Sequence, residues 1–213
     1  MNLITACQNA DVCKKEIEFV LTHFGSISKL DSERRERLYS SFFTLLQTAL
    51  LALRRDENIP METLTTIYEL VIKHFSNIKK VDSDGLYVIG SLSFYFRSEP
   101  RLIDDFWKYI EYSLTQYNES FTFKAGLSCV CDFAANYGPE LGDKVPLLMK
   151  HLIDSFQKPE VSRESKLDVI MAIGDMFLNC GMMCSPYLEQ TMSMLMLACQ
   201  ASITMDDSEK NYA

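Results

Sequence analysis

Three carboxylates on one stretch of chain are the residues whose spacing most suggests a binding chemistry. Glu164, Asp168 and Asp175 stand at offsets of 4 and 11. On a helix of 3.6 residues per turn those offsets fall within about 40° of one another. Carboxylates aligned in this way form an acidic stripe that a lysine- or arginine-rich helix could lie across. A solvated helix face, partly neutralised by Arg163 and Lys166, has the same pattern. A second stripe is aromatic and sulfur-bearing: Tyr187, Thr191, Met194 and Ala198 lie beside an apolar run of Leu188, Met192, Leu195, Met196 and Cys199. Exposed Tyr and Met between adjacent helices could accept a small aromatic side chain. Packing against a neighbouring repeat would use the same residues.

Constellations for catalysis are missing. His23, His74 and His151 each sit late in a helical stretch, and no two lie within one turn of each other. They are expected to be partly exposed helix-end histidines. Cys129 and Cys131 are two apart, which on a helix points them about 200° apart, so they cannot share a metal. Cys180 and Cys184 flank Gly181 and could approach each other, but no second pair or histidine completes a zinc set. There is no Gly-rich phosphate loop and no Gly-x-Ser-x-Gly elbow. Asn118-Glu119-Ser120 fits a glycosylation sequon, expected to be coincidental in a chain with no signal peptide. These absences argue against an enzyme and imply no cofactor.

Composition narrows the class further. The net charge is −8 and the sequence pI is near 4.9, a poor balance for general nucleic-acid binding. Hydrophobic residues make up 47% and charged residues 23%, which excludes wholesale disorder. Eight glycines and six prolines are too few turn formers for a many-stranded barrel or sandwich. The first residues carry no basic cluster ahead of their short apolar stretch, unlike a signal peptide. No uninterrupted apolar run approaches a membrane span. Seven scattered cysteines are expected to be reduced thiols in the cytosol or nucleus.

The elements that must carry these residues are helices in a repeat. Apolar stripes at i, i+3, i+4, i+7 spacing recur at Leu64–Phe75, Ile103–Tyr117, Leu148–Phe156 and Leu188–Cys199. Pro60, Pro100, Pro139 and Pro186 stand at or just before the start of each, at spacings of 40, 39 and 47. Second helices are expected at 81–97, 120–137 and 161–180. Two share a phrase 43 residues apart, Val130-Cys131-Asp132-Phe133 and Ile173-Gly174-Asp175-Met176. An earlier pair is expected at about 11–26 and 33–54, residues 2–10 resemble the tail of a preceding helix, and a leftover first helix covers 184–203. Two helices per roughly forty residues is the period of an all-α HEAT-repeat α-solenoid; tetratricopeptide and ankyrin repeats are nearer 34 and 33. Residues 1–213 are therefore expected to be one HEAT-repeat segment of about four and a half pairs, cut from a longer array. The carboxylates are not concentrated on the second helices, so overall acidity alone assigns no binding side.

Phe123-Lys124-Ala125-Gly126-Leu127-Ser128-Cys129-Val130-Cys131-Asp132-Phe133, followed by Val145-Pro146-Leu147-Leu148-Met149, resembles the C-terminal half of the importin-β (karyopherin-β) family. So does Ser165-Lys166-Leu167-Asp168-Val169-Ile170-Met171-Ala172-Ile173-Gly174-Asp175. Pro186-Tyr187-Leu188-Glu189 followed by Ala198-Cys199-Gln200-Ala201-Ser202 resembles that family's outer helix ending in a Gln-Ala-Ser turn. The resemblance implies a nuclear import receptor segment, found in cytoplasm, nucleus and nuclear pore. Its implied partners are the basic importin-β-binding segment of importin-α or basic cargo, Ran-GTP, and Phe-Gly nucleoporins. No nucleic acid, membrane insertion or homo-oligomer is implied. Asp132 and Asp175 occupy the family's Gly-Asp position on inner helices, with Cys131 in place of the first glycine. With Glu164 and Asp168 they are the candidate partner-binding residues of a concave acidic face. Tyr187 and Met194 are the candidates for Phe-Gly docking between outer helices. A HEAT scaffold of another kind, such as a phosphatase regulatory subunit or an assembly platform, is the alternative.

Overall fold

The structure, a computed structural model, describes residues 10–27, 29–54, 59–77, 81–99 and 101–210. Among them are nine α-helices and no strands: α1 (Ala10–Ile27), α2 (Ser32–Leu53), α3 (Met61–Asn77), α4 (Ser83–Tyr95), α5 (Arg101–Ser113), α6 (Ser120–Tyr137), α7 (Lys144–Gln157), α8 (Arg163–Cys180) and α9 (Leu188–Lys210). Of the expected tail of an earlier helix at 2–10, all but Ala10, which opens α1, lies outside the described residues, as does the expected helix start at Pro100. Pro60 stands directly before α3, where its carbonyl accepts the Leu64 amide at 3.1 Å.

Side-chain caps explain where several helices begin. An Asp or Ser oxygen satisfies an amide that the helix itself leaves unpaired. Asp31 accepts from the Arg34 amide at 3.0 Å, and Ser162 accepts from the Ser165 amide at 3.1 Å. Asp82 opens α4, accepting from the Asp84 amide at 2.9 Å.

Two prolines behave differently from expectation. Pro139 and Pro186 lie within 3₁₀ segments, Gly138–Leu141 and Gly181–Tyr187, so α7 starts at Lys144 and α9 at Leu188. Gly138 and Gly181, 43 residues apart, close α6 and α8 with φ of 49° and 55°. That left-handed region is where glycine lacks the Cβ penalty, and it turns the chain sharply. The last helix also differs: α9 continues to Lys210 rather than turning at Gln200-Ala201-Ser202.

The helices form two layers. The second helices α2, α4, α6 and α8 pack directly on one another in chain order, and α1, α3, α5 and α7 each pack on the inner helix that follows. What separates the layers' members is side-chain size. Inner helices approach through small residues: a Cβ on Gly90 would come within 2.5 Å of the Asp132 carboxylate, and Ser93 Oγ accepts from Asn136 at 2.7 Å. Outer helices are held apart by rings. Tyr68 and Phe75 of α3 meet Phe106 of α5 edge-on, at centroid distances of 5.9 and 6.2 Å.

The core runs continuously between the layers, from Cys13, Ile17 and Val20 through Phe43, Phe75, Phe106 and Phe123 to Val169, Ala172 and Met176. His74 belongs to it, contrary to the expected helix-end exposure. It is 7% exposed, with the rings of Tyr39 and Phe43 at 4.7 and 4.8 Å and Asp82 Oδ2 at 3.3 Å. Burial pushes the Asp82 carboxyl up, but the His74 hydrogen bond and charge and two backbone amides together hold it below the usual carboxylate range. The stabilisation this gives is present above the unfolded carboxylate value and is lost as pH falls through the lower folded value. Asp82→Asn keeps a capping oxygen and removes the charge. It is expected to cost about 1–2 kcal/mol at neutral pH. In urea melts across pH, the gap between wild type and variant should close below about pH 4.

Candidate partner-binding face

The open side of the inner layer is where the candidate carboxylates lie, in two groups. The first is at the start of α8. Lys124 of α6 reaches across to Glu164 at 2.7 Å and to Asp168 at 3.7 Å. The Lys124 hydrogen bond holds the Glu164 carboxyl below its ordinary value, and Glu164 in turn raises Lys124. Glu164 remains 80% exposed and Asp168 39%, so both keep free acceptor positions toward solvent. Neutralising charge thus reaches the stripe from the neighbouring helix. Lys166 instead stands over the Phe156 ring at 5.7 Å.

The second group crosses three helices. Arg54, just past α2, passes over the Phe94 ring of α4 at 5.4 Å and reaches Asp132 of α6 at 3.3 Å. Burial raises the Asp132 carboxyl, Arg54 opposes that, and the Asp175 charge adds to the rise. Burial, and then the neighbouring Asp175 carboxylate, push the Cys131 thiol up to about 12. Asn136 and Asn179 each donate to the carbonyl four residues back, of Asp132 and Asp175, both at 2.8 Å.

A register rule emerges from these contacts. Gly90 of α4 receives Asp132 of α6, and Cys131 of α6 receives Asp175 of α8. The shared Gly-Asp position is therefore an inter-repeat joint as well as an acidic one. Asp132, 28% exposed and already paired, holds repeats together more than it faces outward. Glu164 and Asp168 are the accessible part of the stripe.

On α9 the structure exchanges the two stripes. Thr191 and Met194 are buried, each 4% exposed, and Ala198 is half-buried. Leu188, Met192 and Met196, expected inside, are 53%, 51% and 60% exposed. Met194 is thus a core side chain and is not available to a docking ring. Tyr187 is partly buried, and its hydroxyl donates to the Pro146 carbonyl at 3.4 Å. Because α9 is apolar on both faces, helical spacing alone could not choose between them.

Among the described residues the remaining cysteines and histidines form no reactive set. Cys180 and Cys184 are both buried; each thiol donates to a backbone carbonyl, at 3.5 and 3.4 Å, and burial pushes Cys180 up to about 11. His151 stands 3.6 Å from Glu111. Among the described residues no group of three His, Cys, Asp or Glu could hold a metal ion.

Two comparisons bear on this arrangement. A family model described as "Importin subunit beta-1-like, TPR repeats" matches residues 11–212. The outer helices begin at Met61, Arg101, Lys144 and Leu188, and that spacing is longer than the roughly 34 residues of a tetratricopeptide pair. No curated protein sequence matches the chain. A chain in a solved structure titled "Kap95:Nup1 complex" superposes with a TM-score of 0.74 at 18% identity, over 87% of this chain and 22% of that one. The likeness is one of fold, and this chain spans about a fifth of the length of the solved one.

Proposed function

Because the chain belongs to the importin subunit beta-1-like family, a family of transport receptors and not of enzymes, we propose that it is a nuclear import receptor segment whose inner face holds basic partners. The observation that carries this is the pairing of a family match over residues 11–212 with solvent-facing carboxylates, Glu164 and Asp168, on the open side of the inner layer. The Lys124 contact supports this reading: within the chain, one ammonium already lies 2.7 Å from Glu164 and 3.7 Å from Asp168. A lysine or arginine of a partner helix would compete for, or extend, that bridge. The partner class is the basic importin-β-binding segment or a basic localisation signal. The stack supplies geometry, and the chemistry is electrostatic attraction.

The outer layer is assigned the Phe-Gly contact. The solved neighbour's title pairs Kap95 with the nucleoporin Nup1, and Tyr187 with exposed Leu188 and Met192 offers an apolar outer surface. Buried Met194 is not part of it. Contact with Ran-GTP, and residence in cytoplasm, nucleus and pore, follow from the same family reading.

The test is a triple substitution, Glu164→Ala, Asp168→Ala and Asp175→Ala. Affinity for a basic importin-β-binding peptide should fall by about 10-fold at low salt, from the loss of partly exposed charge pairs. Capture by Phe-Gly repeats should be unchanged. Unchanged peptide affinity would remove these carboxylates from the site. Failure to bind either ligand would favour a HEAT scaffold of another kind.

A further inference from the structure

We propose that Lys144 caps the outer groove between α5 and α7 and biases Phe-Gly docking away from it, towards the groove between α7 and α9. This rests on the Phe-Gly reading of the outer layer and adds the residue that sets its selectivity.

Successive outer grooves along α3, α5, α7 and α9 are closed in different ways. Between α3 and α5 the chain's own rings fill the space. Phe75 meets Tyr109 at 4.7 Å and Phe106 at 6.2 Å, and the Tyr68 hydroxyl donates to Asp105. On the α7–α9 side, α9 offers no cation: it carries no Lys or Arg from Leu188 to Gln200, and its Leu188 and Met192 are exposed. Between α5 and α7 the closure is ionic.

Two ion pairs span that groove, each linking residues 40 apart. Lys144 Nζ lies 3.6 Å from Asp104 Oδ1, and His151 Nε2 lies 3.6 Å from Glu111 Oε1. The two helices use the same offsets. Asp104, Trp107 and Glu111 stand at i, i+3 and i+7 on α5, and Lys144, Leu147 and His151 do so on α7. Those offsets put each trio on one helical face. Trp107 therefore sits between the two ionic rungs, half-buried, and exposed Leu147 holds the matching place on α7.

The Lys144 ammonium covers the indole, 5.3 Å from the ring centroid. A cation on the ring face occupies the position that a stacking phenyl ring would need. Its side chain is 20% exposed and is held by Asp104 and, at 3.8 Å, by Asp143. Both carboxylates are well exposed, so the anchor is a screened surface pair and the cap is weak. A weak cap biases without locking. The α7–α9 groove fills first, and the α5–α7 groove fills only at higher ligand concentration.

Trp107 is the one tryptophan of the chain, so its emission reports this groove. The probe is a synthetic peptide of two Phe-Gly repeats containing no Trp or Tyr. Titrated into the full chain, it should change Trp107 emission at a half-saturating concentration about 5–10-fold lower in K144S than in wild type, from loss of a surface cation–π contact and ion pair. K144R keeps a cation over the ring and should behave as wild type. D104N loosens the anchor without touching α7 and should fall between the two; it also carries the test if K144S does not fold. Anisotropy of an end-labelled copy of the peptide reads total binding in parallel. Equal half-saturation in wild type, K144S and D104N would overturn the cap, as would peptide binding that leaves Trp107 emission unmoved in K144S. Absence of binding to every one of these proteins would instead overturn the Phe-Gly reading itself.

Discussion

Replacing Phe75 with alanine is expected to lower the unfolding free energy by about 3–5 kcal/mol, the cost of deleting a buried aromatic ring and leaving its cavity. The ring is 2% exposed and joins three helices. It belongs to α3, lies 4.7 Å from the Tyr109 ring and 6.2 Å from the Phe106 ring of α5, and presses on α4 at Gly85, where a Cβ would come within 2.8 Å of Phe75 Cε2. The absent side chain at Gly85 is what lets the ring in. The same contacts tie one helix pair to the next, so truncation also weakens a joint of the stack. Phe121→Ala provides the contrast. That ring is 84% exposed, and its loss should cost less than about 0.5 kcal/mol. Urea melts of the two variants measure both values. A Phe75→Ala cost below about 1 kcal/mol would contradict the packing described above.

The second large effect concerns Gly126, where α6 crosses its outer partner. A Cβ there would overlap the Ser113 hydroxyl and stand 3.0 Å from Ser113 Cβ. Ser113 is fully buried and donates to the Ile110 carbonyl at 2.6 Å, so it has no room to retreat. Gly126→Val should therefore destabilise by about 3 kcal/mol through overpacking. A second change, Ser113→Gly, removes the obstructing atoms. The double variant should recover part of the loss, giving a coupling between the sites of about 1–2 kcal/mol in a double-mutant cycle. Additive effects would mean that α5 and α6 do not meet at these residues.

Much of the fold was legible because it is periodic. The stripe Leu64, Ile67, Val71 and Phe75 is buried as its spacing implies, and each helix pair falls where the repeat places it. The repeated Gly-Asp phrase marked a joint between inner helices. What spacing could not supply were contacts between distant parts of the chain. Arg54 meets Asp132 across 78 residues, and Lys124 meets Glu164 across 40. Neither partner is visible in a local pattern, so the pairing of Lys124 with the α8 carboxylates was not legible from spacing. His74 misled for a similar reason: late position in a helix suggested solvent, while Tyr39 and Phe43 from another pair enclose it. On α8 and α9 a signal did exist. Both helices carry exposed apolar residues outside their buried faces, Leu167, Met171 and Leu178 on α8 and Leu188, Met192 and Met196 on α9. A search for one apolar face per helix passes over it.

The measurement that bears most directly on the central claim is the affinity of the full chain for a fluorescent basic importin-β-binding peptide at several salt concentrations. Acidic side chains at the surface attract such a partner through interactions that salt screens, with a Debye length falling from about 10 Å at 0.1 M to about 3 Å at 1 M. Binding at low ionic strength that weakens steadily, by about 10-fold or more over that range, is the predicted result. Absence of binding at low salt, or an affinity that salt leaves unchanged, would contradict the account of an inner face built to hold a basic helix.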